Sequence, residues 1–268
     1  METKFTKKNS SKRSPLKALP LHTAGQSIDE EISRIQSVEI GSYIAGIACT
    51  TILSLFEWYR WVRSAPPTPL PITIASIIVI SYCIYKIYRY KKEIKKLRLA
   101  RDGEKAVGEF LDSFRNEGYR VLHDLVVGDY NIDHILIGKT GIYTIETKTI
   151  SKFTRGVQKI YYDGNELSVN GMKPDRNPII QAKAQANWVK EFIQEFYKEN
   201  IPIQPAIVFP GWYIEGTTKA DVWVLEPKAL KGFIIRQNQV MGDRDIPIIA
   251  SNLSRYLRLR EEFRRNQR

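Results

Sequence analysis

Hydrophobic and polar positions change rhythm three times along the chain. Up to about residue 35, large apolar side chains are sparse among Lys, Ser, Thr and Pro. Such a stretch cannot bury enough surface to offset the entropy of ordering it. It predicts a disordered basic tail over 1–35, with room for a short helix near Ile28 to Ile35. Two uncharged runs follow, Ile40 to Phe56 (17 residues) and Leu70 to Tyr85 (16 residues). At about 1.5 Å per residue each would make a helix of roughly 25 Å, slightly short of a hydrocarbon core of about 30 Å. Trp58, Tyr59 and Trp61 suit the aromatic belt of a membrane interface, and Lys86 can snorkel to complete the second span. Pro66, Pro67, Pro69 and Pro71 interrupt the helix between the runs. A buried hairpin in a soluble protein would share the apolar runs but not the flanking belt. The pattern therefore predicts a transmembrane hairpin over 36–90 that meets the lipid bilayer through residues 40–56 and 70–85.

Beyond residue 102 the apolar positions fall into short runs typical of a mixed α/β domain. Val107, Phe110, Leu111 and Phe114 recur at helical spacing and predict an amphipathic helix from Gly103 to Glu117. Strands are expected over Tyr119 to Val127, Ile132 to Ile137 and Ile142 to Ile150. A further hairpin, Lys159 to Tyr162 and Glu166 to Val169, turns at Asp163, Gly164 and Asn165. Ile179 to Tyr197 reads as a helix, Pro205 to Phe209 and Val222 to Leu225 as strands. The division is thus a tail (1–35), a membrane hairpin (36–90), a basic linker (91–101), an α/β domain (102–230) and C-terminal helices (231–268).

Charge shifts the expected partner. The net charge is +12, but Lys86 to Arg101 holds eight basic residues and one acid, while Asp102 to the end holds 24 basic and 22 acidic. The excess lies beside the apolar run, where anionic lipid at the basic linker is the fitting partner. The loop between the apolar runs carries Arg60 and Arg63, against seven basic residues from Lys86 to Arg98. Positive-inside counting then predicts a two-pass membrane protein with both termini cytoplasmic. The two cysteines, Cys49 and Cys83, lie in the apolar runs, which excludes a disulfide scaffold and a Cys-rich zinc site.

The stretch from Asn131 to Lys148 carries the candidate chemistry. A turn over Gly138 to Gly141 places Asp133 directly opposite Glu146, and strand alternation puts Asp133, Glu146 and Lys148 on one face. Opposed carboxylates about 5 Å apart at Cβ repel unless a cation sits between them. Hard cations such as Mg2+ take oxygen ligands and polarise a phosphodiester, while a neighbouring ammonium steadies developing negative charge. A solvated strand face with a cross-strand acid would show the same residues. Glu104, at the edge of the Val107 stripe, is either an N-terminal acid favoured by the helix dipole or a third acid facing the site. Gln181, on a stripe with Ala184, Trp188 and Phe192, could contact substrate or bond to backbone. His123 and His134 read as structural, since His134 faces away from Asp133 on an ideal strand. No Walker or dinucleotide fingerprint is present.

Gly103-Glu104-Lys-Ala-Val107 with Leu111, Asn131-Ile-Asp-His-Ile, Gly141-Ile-Tyr-Thr-Ile-Glu-Thr-Lys148, Asn177-Pro178 with Gln181, and Pro205-Ala-Ile-Val-Phe209 together resemble the nuclease-related domain (NERD) family over roughly residues 100 to 230. The resemblance implies the restriction-endonuclease-like fold of the PD-(D/E)XK nucleases, a central mixed sheet flanked by helices. It also implies a metal-dependent phosphodiesterase acting on nucleic acid, DNA above all, with Mg2+ or Mn2+. Carried over by position, Asp133, Glu146 and Glu104 would hold the metal, Lys148 would assist catalysis, and Gln181 matches a frequent downstream glutamine. The expectation is a membrane-anchored nuclease; the alternative is a non-catalytic nucleic-acid-binding module or membrane scaffold on the same fold.

Overall fold

A five-stranded mixed sheet with helices on both faces forms the body of the protein. The structure, a computed structural model, describes residues 21–63, 69–127, 130–152, 159–174, 176–197, 199–216 and 220–266. The chain enters through helix α1 (Gln26–Arg34), passes a π-helical turn (Ile35–Ile40) into α2 (Gly41–Val62), and returns through α3 (Pro69–Asp112) and a 3-10 turn (Ser113–Glu117). Strands β1 (Arg120–Val127), β2 (Tyr130–Gly138) and β3 (Gly141–Thr147) form an antiparallel meander. A second hairpin, β4 (Lys159–Tyr162) and β5 (Leu167–Val169), leads to α4 (Pro178–Gln194), β6 (Ile203–Val208), β7 (Tyr213–Gly216), β8 (Trp223–Leu225), α5 (Pro227–Ile235) and α6 (Asp245–Asn266). The main sheet has the order β1-β2-β3-β6-β8, with β6 parallel to β3 and to β8.

Alternation along each strand divides the core between two layers. Ile135, Ile137 and Ile142 point to α4 and α6, where they meet Val189, Ile193, Ile249 and Leu253. Leu136, Tyr143 and Ile145 point to the end of α3 and to α5, where they meet Val107, Leu111, Leu230 and Ile234. A strand buried on both faces has no polar side to spare, so every residue of β3 is buried and any charge on it must find a partner. A small second sheet, β5-β4-β7, packs Ile160, Tyr162 and Leu167 beside Phe209 and Trp212.

Four expectations change. The short helix for which the sequence left room near Ile28 to Ile35 is α1, and Ile32 and Ile35 pack on Ile94, so the tail expected to be disordered to about 35 is ordered by apolar burial before that point; residues 1–20 lie outside the described residues. The basic linker over 91–101 is no separate element: apolar residues at helical spacing, Ile94 and Leu97, seat it on α1, and α3 runs unbroken from Pro69 to Asp112. The expected boundary after residue 230 falls inside α5, because Leu230 and Ile234 fill one core cluster, and α6 completes the other. Strand β7 was not foreseen, since its four residues alternate too briefly to read.

Helix α2 and the first half of α3 pack as a hairpin through small and hydroxyl residues. Ser76 Oγ donates to Thr50 O at 3.2 Å, Ser54 and Thr73 hydroxyls lie 3.2 Å apart, and Gly46 faces buried Cys83. Large apolar side chains such as Ile52, Phe56, Ile74 and Ile78 remain exposed around the pair. Small residues inside and large apolar ones outside is the inverse of a soluble bundle and the usual arrangement of membrane helices. The helical stretches 26–62 and 69–117 are each long and apolar enough to cross a membrane. Of the proline link expected at Pro66, Pro67, Pro69 and Pro71, the first two lie outside the described residues, while Pro69 and Pro71 fall in the first turn of α3, where a proline costs no helical hydrogen bond.

Candidate active site

The carboxyl end of β3 carries the candidate residues, on the middle strand of the sheet. The hairpin register runs from Gly138↔Gly141 to His134↔Ile145, and the next step along it sets Asp133 opposite Glu146. There ladder bonding gives way to side-chain chemistry, and Asp133 Oδ2 accepts the Thr147 N–H at 2.7 Å. Glu146 is buried; its Oε1 accepts from Lys148 Nζ at 2.6 Å and its Oε2 from Gln185 Nε2 at 2.5 Å. Lys148, one-third exposed at its side chain, also donates to Gln181 Oε1 at 3.1 Å. Asp133, Glu146, Lys148 and Gln181 thus meet between the sheet and α4.

Glu104 arrives from the opposite side on α3. It stands deep inside a 44-residue helix, so the N-terminal dipole role does not apply. A Cβ on the preceding residue, Gly103, would lie 1.7 Å from Thr149 Oγ1. Only glycine lets α3 cross this close to the segment leaving β3, and that approach buries Glu104 beside the other acids. Burial, reinforced by Asp124 and Glu146, pushes the Glu104 carboxyl up to about 8. Burial also pushes Asp133 well above the carboxylate range, with Glu146 and Glu104 adding to it, against the Thr147 N–H and Lys148.

Sequence reasoning missed Gln185. It is fully buried on α4, and its amide nitrogen also reaches Asn131 O at 2.8 Å. The signal was available: Gln185 lies one helical turn beyond Gln181, on the stripe of Ile179, Ala182, Ala186 and Val189 that faces the sheet. Trp188 and Phe192 turn instead to Tyr256 of α6. His123 and His134 pair with each other, Nδ1 to Nδ1 at 2.9 Å, in the structural role expected.

The fit to a divalent cation rests on donor chemistry. Three buried carboxylates lie within electrostatic reach of one another, and Glu104 Oε2, Thr147 Oγ1, Thr149 Oγ1 and Gln185 Oε1 have no hydrogen-bond partner. Orphaned buried oxygens each cost about 1–3 kcal/mol and are the atoms an ion or water satisfies. Among the described residues, however, no three His, Cys, Asp or Glu side chains stand in a geometry that could hold a metal ion. The positive charge between the carboxylates is supplied by Lys148.

Fold and site define a mixed α/β domain with an acid and lysine cluster at the carboxyl end of a central strand. Residues 99–210 match the family model described as nuclease-related domain (NERD). An uncharacterized protein of Bacillus anthracis is 33% identical over 95 residues, which cover 34% of this chain and 44% of that protein. The match thus spans less than half of that relative's length. No solved structure matches the chain.

Proposed function

We propose that the protein is a membrane-anchored, metal-dependent nuclease that hydrolyses phosphodiester bonds of nucleic acid, DNA foremost. The observation that carries the reading is that buried Asp133, Glu146 and Glu104 and partly exposed Lys148, from three separated stretches, lie within electrostatic reach of one another, with orphaned buried oxygens on Glu104 and Gln185. Acids whose pKa values are raised by burial and by one another cluster at functional sites. Asp133 and Glu146 would hold Mg2+ or Mn2+, with Glu104 completing the acidic set. A bound divalent ion would polarise the scissile phosphate and favour deprotonation of the attacking water. Lys148 would face the developing negative charge, and Gln181 would keep its ammonium in place. In this reading α2 and the first half of α3 form a two-pass anchor with both termini cytoplasmic, and the basic run from Lys86 to Arg98 lies against anionic lipid.

The test is cleavage of plasmid DNA, linear DNA and RNA by the full chain in detergent, with Mg2+ or Mn2+ and with chelator. Glu146→Ala and Lys148→Ala should each lower cleavage by about 10²- to 10³-fold, the usual cost of one preorganised electrostatic group. Equal cleavage by wild type and both variants would end the reading. A second reading, a membrane-bound nucleic-acid-binding module without catalysis, is favoured by the Lys148–Glu146 pair and the lack of a formed metal-holding trio among the described residues. Nucleic-acid binding that persists in chelator with no strand cleavage would select it.

A further inference from the structure

Asp124, on β1, lies outside the candidate site and is nonetheless almost completely buried. Its φ is 52°, in the left-handed region that L residues rarely adopt. Such a conformation persists only where the surroundings over-determine it. Here they do. Asp124 Oδ2 accepts the Ser27 N–H at 2.6 Å and lies 3.2 Å from His22 Nδ1, while Oδ1 accepts from Ser27 Oγ at 2.6 Å and from Asn131 Nδ2. Two of the three donor residues, His22 just ahead of α1 and Ser27 in its first turn, come from one segment about a hundred positions earlier in the chain.

That segment is clamped on its other side as well. A Cβ at Gly108 of α3 would lie 2.6 Å from the Ala24 methyl, so the glycine makes room for the strap. Asp29 of α1 pairs with Arg101 at 3.0 Å and Lys105 at 2.7 Å, the residues on either side of Gly103 and Glu104. The connection continues inward from Asp124. Asn131, held through its amide by Asp124 and Ser27 Oγ, presents its main-chain oxygen to Gln185 Nε2. The same Gln185 nitrogen holds Glu146 Oε2. Both hydrogens of that amide are therefore committed, one to Asn131 and one to Glu146, which fixes the glutamine in one orientation.

We propose that Asp124 is a positioning residue for the candidate site, through which the segment 21–27 ahead of the membrane hairpin sets the placement of Glu146. The proposal rests on the nuclease reading for its consequence in catalysis, but the relay itself is independent of it. Apolar contacts would suffice to hold the strap down. A charged group with every donor directed at it adds specificity of position, because the left-handed turn at Asp124 and the carbonyl of Asn131 move together. The strap thereby touches both halves of the site, Glu104 through α3 and Glu146 through Gln185, and ties them to the helix that leads to the apolar spans.

The experiment uses the full chain in detergent micelles with Ser27→Ala and Asp124→Asn, and with Ile160→Val in β4 of the second sheet as a destabilised control away from the relay and from 141–148. Backbone hydrogen exchange in the peptide 141–148 gives a readout that needs no activity, and cleavage of plasmid DNA with Mn2+ gives kcat and KM. Asp124→Asn should speed exchange in 141–148 and lower kcat, each by about tenfold, with KM unchanged. Ser27→Ala, which keeps the N–H bond, should move both in the same direction by less, and the control should move neither. Wild-type exchange in 141–148 for both variants, or an equal change in the control, would overturn the proposal. If the wild type cleaves nothing, the nuclease reading falls while the exchange comparison still decides the relay.

Discussion

Lys148 Nζ lies 2.6 Å from Glu146 Oε1, two positions back on the same strand face, while Gln185 holds the other oxygen of that carboxylate at 2.5 Å. Each oxygen of Glu146 therefore already has a donor, one a cation and one an amide, and a metal ion that enters must compete with the lysine. Competition of this kind makes metal binding visible as stabilisation, since a ligand that binds only the native state raises its stability in proportion to ln(1 + [L]/Kd). Mn2+ at about a hundred times its Kd should add roughly 2.7 kcal/mol. A thermal melt with and without Mn2+ checks this: the wild type should shift upward, and Asp133→Asn and Glu146→Gln should shift little.

Gln185 is expected to matter more for stability than its neighbour Gln181, although only Gln181 stood out in the sequence. Replacing Gln185 with Leu removes two donated bonds and leaves Glu146 Oε2 and Asn131 O without partners inside the core. Each unsatisfied buried acceptor costs about 1–3 kcal/mol. Gln181→Leu frees only one bond of a partly exposed lysine, and surface bonds of this kind are worth about 0–1 kcal/mol. Chemical denaturation of the two variants should rank them in that order, and an equal loss would contradict the assignment.

The contrast shows what the residue pattern could and could not reveal. The Asp133, Glu146 and Lys148 face was legible because the two glycines of the hairpin, Gly138 and Gly141, fix a register, and register fixes faces. The apolar spans were legible from uninterrupted length. Gln185 could be placed on the buried stripe from helical spacing, but its partner could not be read until packing set α4 against the end of β3. Continuity of α3 was also hidden. A run of eight basic residues looks like a linker, yet Ile94 and Leu97 at helical spacing bury one side of it against Ile32 and Ile35. Asp124 drew no reading from the sequence, since nothing local announces that His22 and Ser27, about a hundred positions earlier, will reach it.

Gly103 and Thr149 should be strongly coupled. Adding a methyl at Gly103 brings it to 1.7 Å from Thr149 Oγ1 and 2.8 Å from Thr149 Cβ, so one of the two segments must move. Overpacking of this kind costs about 1–3 kcal/mol. Gly103→Ala should lower stability by that amount and displace Glu104 from the site, while the same change in a Thr149→Gly background should cost much less. A double-mutant cycle on denaturation free energies measures the difference, and additive effects would show that α3 does not rest on Thr149.

His22 gives stability a defined pH dependence. Its imidazole lies between Asp124 on β1 and Glu261 on α6, at 3.2 and 3.5 Å, with Glu30 of α1 adding to the field. Arg258, Arg260 and His123 line the same cavity. The bond to Asp124 dominates, outweighs the cost of burial, and raises the His22 pKa above its ordinary value of 6.5. Burial alone would push Asp124 up, but its bonds from His22, Ser27 and Asn131 hold it below the usual carboxylate value, so it stays charged throughout. A group whose folded pKa is raised binds its proton more tightly in the native state, so stability falls as pH rises across the interval between the two pKa values. The contribution of His22 is fully present below pH 6.5 and is lost as pH climbs through its folded pKa. Melting temperature measured from pH 6 to 9 should therefore decline in the wild type more steeply than in His22→Gln. Parallel curves for the two proteins would mean that His22 does not clasp the strap to Asp124 and α6.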